Sequence, residues 1–210
     1  LPDADPLYYG SRCDRYDLKK RSNAKDDLRA FDYRHRLLLE CAGLKDTKEK
    51  AGGTKGTIGL PSALIYCQLL PLFARFFKAL GYDVRLSGRT DKRIIRMGVE
   101  RVNAQPCFPV KVAYGHIADL IDKEVDYVFL PSIVSMTASF PQNEHNQLCP
   151  YVQSIGYQAE TTFAQRPGGA KILTAPLRLG EGDKLTRESF ISLGRKLGVS
   201  ASQVRRAVKE

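Results

Sequence analysis

The rhythm of apolar and polar positions changes at about residue 57. Upstream, charged and polar residues dominate, and only the stretch from Leu28 to Leu44 has helical spacing, with Phe31, Leu38 and Leu39 set among charges. The run Lys45-Asp-Thr-Lys-Glu-Lys-Ala-Gly-Gly-Thr-Lys-Gly56 then has the composition of an exposed linker. Residues 1–56 therefore read as a loosely held, charged N-terminal segment, and residues 57–210 as a folded domain.

From Thr57 onward, short apolar or alternating runs exchange with longer amphipathic ones. Thr57-Ile-Gly-Leu60 predicts a strand, and a Pro-Ser turn leads into a long apolar helix from about Ala63 to Leu80, closed by Gly81. Tyr82 to Ser87 alternates as a second strand. Thr90 or Asp91 can cap a helix through Met97, and Val99 to Asn103 offers a third strand leading toward Cys107. A helix over about Pro109 to Lys123 precedes a buried strand, Asp126-Tyr-Val-Phe-Leu-Pro131. The stretch from Ser132 to Leu148, rich in Ser, Thr, Asn and Gln, reads as a loop that delivers Cys149 to its own helix. Lys171 to Ala175 is a further strand candidate, and helices over Thr186 to Leu197 and Ala201 to Lys209 follow. Strands alternating with helices of this length imply an α/β fold, a three-layer sandwich around a mainly parallel, Rossmann-like sheet.

The 210 residues, 43% of them hydrophobic, suffice for one substantial core. No apolar run approaches a membrane span, and the N-terminus lacks the layout of a secretory signal. A chain that opens on Leu1 reads as an excerpt of a longer polypeptide. The cysteines, at 13, 41, 67, 107 and 149, are odd in number and scattered, which favours free thiols in a reducing cytoplasm over a disulfide framework. A formal net charge of +10 calls for an acidic partner: nucleic acid, a phosphate-bearing substrate or an acidic protein surface. The plainer alternative is a solvated basic surface, since the charges are spread along the chain.

Two cysteines abut prolines at predicted helix starts, in Pro106-Cys107-Phe108-Pro109 and Leu148-Cys149-Pro150-Tyr151. Each sulfur then lies at or just before a helix N-terminus. Unpaired N–H groups and the positive end of the helix dipole favour a thiolate there, the form that binds metal or attacks. In open α/β sheets the loops after the carboxyl ends of strands form the ligand crevice, so the two cysteines can meet across one cleft. No C-x-x-C spacing occurs, which excludes a ferredoxin-like or zinc-ribbon motif and leaves only a site assembled from distant cysteines. Cys13, in the polar run Gly10-Ser-Arg-Cys-Asp-Arg15, is the natural third candidate. Against this stands the reading of inert thiols, and Cys41 and Cys67, within apolar helical stretches, read as small core residues.

The other motifs carry less chemistry. Gly52-Gly-Thr-Lys-Gly-Thr57 lacks the order of a phosphate loop, and His116, inside a predicted helix, reads as a hydrogen-bonded structural histidine. No Ser, His and Asp set is placed by spacing, so hydrolase chemistry has no support. Leu197-Gly-Val-Ser-Ala-Ser-Gln-Val-Arg-Arg-Ala-Val208 also describes a helix-turn-helix. DNA binding is the weaker reading, because Arg205 and Arg206 serve equally as a solvated helix face.

Taken together, Ile58-Gly-Leu-Pro-Ser-Ala-Leu64, Phe76-Phe-Lys-Ala-Leu-Gly81, Cys107-Phe-Pro-Val-Lys-Val-Ala-Tyr-Gly-His116, Asp126-Tyr-Val-Phe-Leu-Pro-Ser-Ile-Val-Ser-Met136 and Cys149-Pro-Tyr-Val-Gln-Ser154 resemble the domain that follows the ATPase activator modules in long proteins related to 2-hydroxyacyl-CoA dehydratase activases. Gly10-Ser-Arg-Cys-Asp-Arg15 resembles the cysteine-containing segment ahead of that domain. Ser62 departs from an expected arginine, and Cys67-Gln68 from an aromatic followed by an acid. The resemblance implies a dehydratase-subunit-like fold and a cytoplasmic, ATP-driven, low-potential electron-transfer system acting on acyl-CoA thioesters. Because no nucleotide-binding motif is present, this chain would be the dehydratase-like part. It would hold a [4Fe-4S] cluster on Cys13, Cys107 and Cys149, with an ATPase activator module and dehydratase-like modules as partners. The alternative within the same system is a non-catalytic docking or acyl-CoA-binding module.

Overall fold

The computed structural model describes residues 30–44, 55–102, 105–138, 146–164 and 169–209. Strands β1 (Thr57–Leu60), β2 (Asp83–Leu86), β3 (Tyr127–Phe129) and β5 (Lys171–Leu173) form a parallel sheet in the order β2-β1-β3-β5. Around it lie α1 (Ala30–Cys41), α2 (Leu70–Ala79), α3 (Lys92–Arg101), α4 (Phe108–Asp122), α5 (Pro150–Phe163), α6 (Asp183–Lys196) and α7 (Ala201–Ala207). This is the expected three-layer α/β sandwich with a mainly parallel sheet.

The pleat assigns the two faces of the sheet. A Cβ on Gly59 would meet Leu120 at 3.1 Å and Val125 at 3.0 Å, so α4 covers that face. On the other face, Phe73 and Phe77 of α2 meet Phe129 edge-on, with ring centroids 5.0 and 4.9 Å apart. Phe76 then carries the contact outward to Phe190 of α6. Each of these buried rings contributes about 1.5–3 kcal/mol of apolar burial.

The helix expected over Ala63 to Leu80 is split into a 3-10 turn, Leu64–Cys67, and α2. Pro71 has no N–H and cannot sit inside a longer helix, so it takes the first turn of a new one. Gly81 ends α2 at φ 89°, a conformation that favours glycine. The strand expected over Val99 to Asn103 is a correction: α3 runs through Arg101, and Val102 is its extended C-cap. Ile94 and Gly98, four residues apart, form the buried face of α3, and docking against α4 outweighs the local alternation.

The loop expected between Ser132 and Leu148 contains β4 (Ser132–Ser135), paired in parallel with β6 (Pro176–Arg178). These strands prolong β3 and β5, and Leu130 N–H to Leu173 O and Ser132 N–H to Ala175 O, both 3.0 Å, carry the ladder across the junction. Pro131 and Pro176 cannot donate, which divides the ladder into two sheets. Asn146 to Leu148 adds on the other side of β4, with Met136 N–H to Asn146 O and Leu148 N–H to Val134 O at 3.0 Å.

Helices α3 and α4 touch backbone to backbone. A Cβ on Gly98 would lie 1.9 Å from Lys111 O, and one on Gly115 would lie 1.9 Å from Ile94 O. Gly98→Ala and Gly115→Ala are each expected to cost about 1–3 kcal/mol through overpacking, whereas Val99→Ala, on the exposed face, should cost far less. Urea unfolding checks this, and unchanged midpoints in both glycine variants would show that the two helices separate freely.

Candidate functional site

The chain steps from β1 to β2 on one side and reaches β3 on the other side of β1. Such a reversal is the topological switch point, and the carboxyl ends of β1 and β3 beside it are where open α/β sheets usually place a ligand crevice. Two loops lie there. After β1, Leu64 takes a left-handed conformation at φ 51°, which costs a non-glycine residue about 1 kcal/mol. Tyr66 then donates its phenol proton to Pro131 O at 3.1 Å, tying the β1 loop to the β3–β4 junction, and burial pushes that phenol's pKa up.

A buried polar cluster fastens the same loops to α4. Ser62 N–H donates to Ser87 Oγ at 2.7 Å, which leaves the Ser87 proton for His116 Nδ1 at 2.8 Å. His116 Nε2 lies 2.9 Å from Thr90 Oγ1. The ring is fully buried, and burial lowers its pKa to about 4. One turn on, Asp119 Oδ2 accepts Gly88 N–H at 2.7 Å, with Lys123 Nζ at 2.9 Å, and Oδ1 accepts from Arg93 at 2.5 Å. Burial pushes the Asp119 carboxyl up, but the bonds from Arg93, Gly88 and Lys123 outweigh it and hold the group at about 2. The expectation that His116 is a hydrogen-bonded structural histidine holds. Ser87, Arg93 and Asp119 carry no expectation from the sequence, and Ser62 and Thr90 stand out in it for other reasons, although a His and an Asp three apart in an apolar helix are a visible signal; Asp91, not Thr90, caps α3.

Cys107 and Cys149 are the N-caps of α4 and α5. Each helix opens with proline in its first turn, and neither sulfur is spent on a capping bond. The carbonyls of the two cysteines start their helices in the same way, Cys107 O accepting from Val110 and Lys111 and Cys149 O from Val152 and Gln153. Both residues are exposed. Helices α4 and α5 each run back into a strand of the parallel sheet, so both N-termini stand at its carboxyl edge. They pack against each other through Tyr114, stacked on Phe163 at 6.2 Å. Cys107 follows α3 rather than a strand. Phe108, next to Cys107 in the chain, and Tyr151, two residues after Cys149, are 58% and 37% exposed.

Cys13 lies outside the described residues, as do most of the N-terminal segment and linker. Among the described residues there is no group of three or more His, Cys, Asp or Glu side chains that could hold a metal ion. Cys41, expected in the core, is exposed at the end of α1, and Cys67 is half-buried, its thiol pushed up by burial. Among the described residues no helix is long and apolar enough to cross a membrane.

A family model described as the CoA enzyme activase uncharacterised domain matches residues 57–210. No curated protein and no solved structure matches the chain.

The buried cluster sets a pH dependence. His116 binds its proton more weakly when folded than the ordinary 6.5, so acid favours the unfolded chain between pH 6.5 and about 4, a loss of up to about 3 kcal/mol. Asp119 contributes stability that is present above pH 3.8 and is lost as pH falls toward about 2. Chemical denaturation across pH 4–7 should show the first slope in the wild type and a much shallower one in His116→Gln. Equal slopes would remove His116 as its source.

Proposed function

The chain belongs to the CoA enzyme activase uncharacterised domain family, and on that premise we propose that it serves an ATP-driven 2-hydroxyacyl-CoA dehydratase-type system as an iron–sulfur redox relay, with Cys107, Cys149 and Cys13 as the thiolate ligands of a [4Fe-4S] cluster. The observation that carries this reading is the matched placement of Cys107 and Cys149, two exposed N-caps whose sulfurs make no capping bond. As donors they fit: sulfur is the ligand such a cluster takes, and at each helix start one first-turn N–H, that of Phe108 in α4 and of Tyr151 in α5, has no intrahelical acceptor and favours an anionic group beside it. A cluster bound there would supply one-electron transfer. Phe108 and Tyr151 would border it and limit water, and exposed Lys92 and Arg96 on α3 would favour an anionic partner such as a CoA ester or an acidic module. The modules expected beside it are an ATPase activator and dehydratase-like partners.

A second reading is favoured by those exposed aromatics: a docking or acyl-CoA-binding module whose cysteines are incidental. Anaerobic reconstitution of the full chain with iron and sulfide separates the two. The redox reading expects Cys107→Ala and Cys149→Ala each to lose stable iron and the visible charge-transfer absorption, while Cys41→Ala and Cys67→Ala keep both. Equal iron retention in all four variants would overturn the cluster and leave the docking module.

A further inference from the structure

The opposite face of the molecule carries a second surface that the redox reading does not use. Helix α1 has no buried residue, yet Tyr33, Leu37 and Cys41 recur on it at four-residue spacing and all are exposed. It is held chiefly at its C-terminal end, where Ala42 is buried in the core with Leu39 and Leu44 half-buried against it, Arg75 Nε donates to Cys41 O at 2.8 Å and Lys78 Nζ to Gly43 O at 2.6 Å; nearer its start Asp32 pairs with Arg89. A helix of 12 residues has little stability of its own in water. The stripe ends at Cys41, which also lines a cleft of about 400 Å³ with Leu72, Phe76, Phe190 and Val208. Leu72 is 42% and Val208 37% exposed, so the apolar surface continues from helix to cleft without a covering partner among the described residues.

We propose that this stripe and cleft are the docking site for an amphipathic, acidic helix of a partner protein. The spacing on α1 offers the ridges that a second helix packs into, and Leu72 and Val208 extend them into a groove. The charges select the partner. Arg75 and Lys209 line the cleft and Arg34 and Arg36 are exposed beside the stripe, against Glu40 on the same helix. A second copy of this chain would bring the same cations against these, so a glutamate-flanked apolar helix is the complementary occupant.

Cys41 is the reporter. The full chain is alkylated with iodoacetamide, and the cysteines are followed by mass spectrometry, with a synthetic helical peptide carrying leucines on one face and glutamates on its flanks as the probe. At peptide concentrations ten times its dissociation constant, Cys41 alkylation should slow roughly tenfold while Cys107 stays at its free rate. Leu72→Asp, and independently Leu37→Asp, should weaken protection by roughly tenfold or more with circular dichroism unchanged. Replacing the peptide's glutamates by lysine should weaken it as well, by a margin that shrinks with salt. Absence of protection up to the peptide's solubility limit overturns the proposal. So does protection without peptide: if it rises with protein concentration the occupant is a second copy, and if it does not the chain's own N-terminal segment covers the groove.

Discussion

A carboxylate inside an apolar helix must find donors or unfold its surroundings, and Asp119 sets the terms for the carboxyl edge of this sheet. It is 3% exposed and draws in the Gly88 N–H, the Arg93 guanidinium and the Lys123 ammonium. His116, one turn earlier and neutral, is held between Ser87 and Thr90. Meeting both demands pulls the loop after β2 onto α4, and Ser62 brings the loop after β1 with it. The polar cluster is thus a clamp on these loops rather than a reaction centre, since its every strong bond is directed at the fold.

With that clamp in place, the position of α4 is fixed, and so is its N-terminus. From His116 back to Cys107 the helix rises about 13 Å at 1.5 Å per residue, which carries the cysteine well beyond the ends of β1 and β2. The glycine contact with α3 braces this overhang from outside, and the β4–β6 ladder underlies α5 in the corresponding place, where Gly156 allows the helix to approach Leu130 O and Thr174. Thr174 Oγ1, buried there with no hydrogen-bond partner among the described residues, marks how closely that approach is packed. Two helix starts with exposed thiols therefore rest on rigid elements, the condition under which a site keeps its geometry.

The two faces of the sandwich differ in finish. Helix α4 buries ten of its fifteen residues and is held by charge, hydrogen bonds and backbone contact, whereas α1 buries none. Such an imbalance places the stable foundation under the cysteines and the least supported helix on the far side, where a partner's surface can complete it.

Much of this was legible in the chain alone. Alternation of apolar strands with longer helices determined the parallel α/β sandwich, Gly81 closed α2, and the Cys-Pro pairs marked the starts of α4 and α5, because strand pleat, left-handed turns and proline's missing donor are local physics. Where local signals compete, they misled. Val99 to Asn103 alternates like a strand, but Gly98 lets α3 meet α4, and only that contact decides for helix. Ser132 and Ser135 read as loop because serine is common there, yet both are buried in β4, with Ser135 bonded to Glu181, a partner 46 residues away. Cys41 looked like core from its apolar neighbours and is exposed, because among the described residues no element packs over that face of α1. The sequence determined the parallel strands β1, β2, β3 and β5 and the starts of α4 and α5, whose signals are local; whether an ambiguous segment becomes strand or helix, which face each buries, and which thiol meets solvent depend on contacts between segments distant in the chain, and tertiary packing alone decided those.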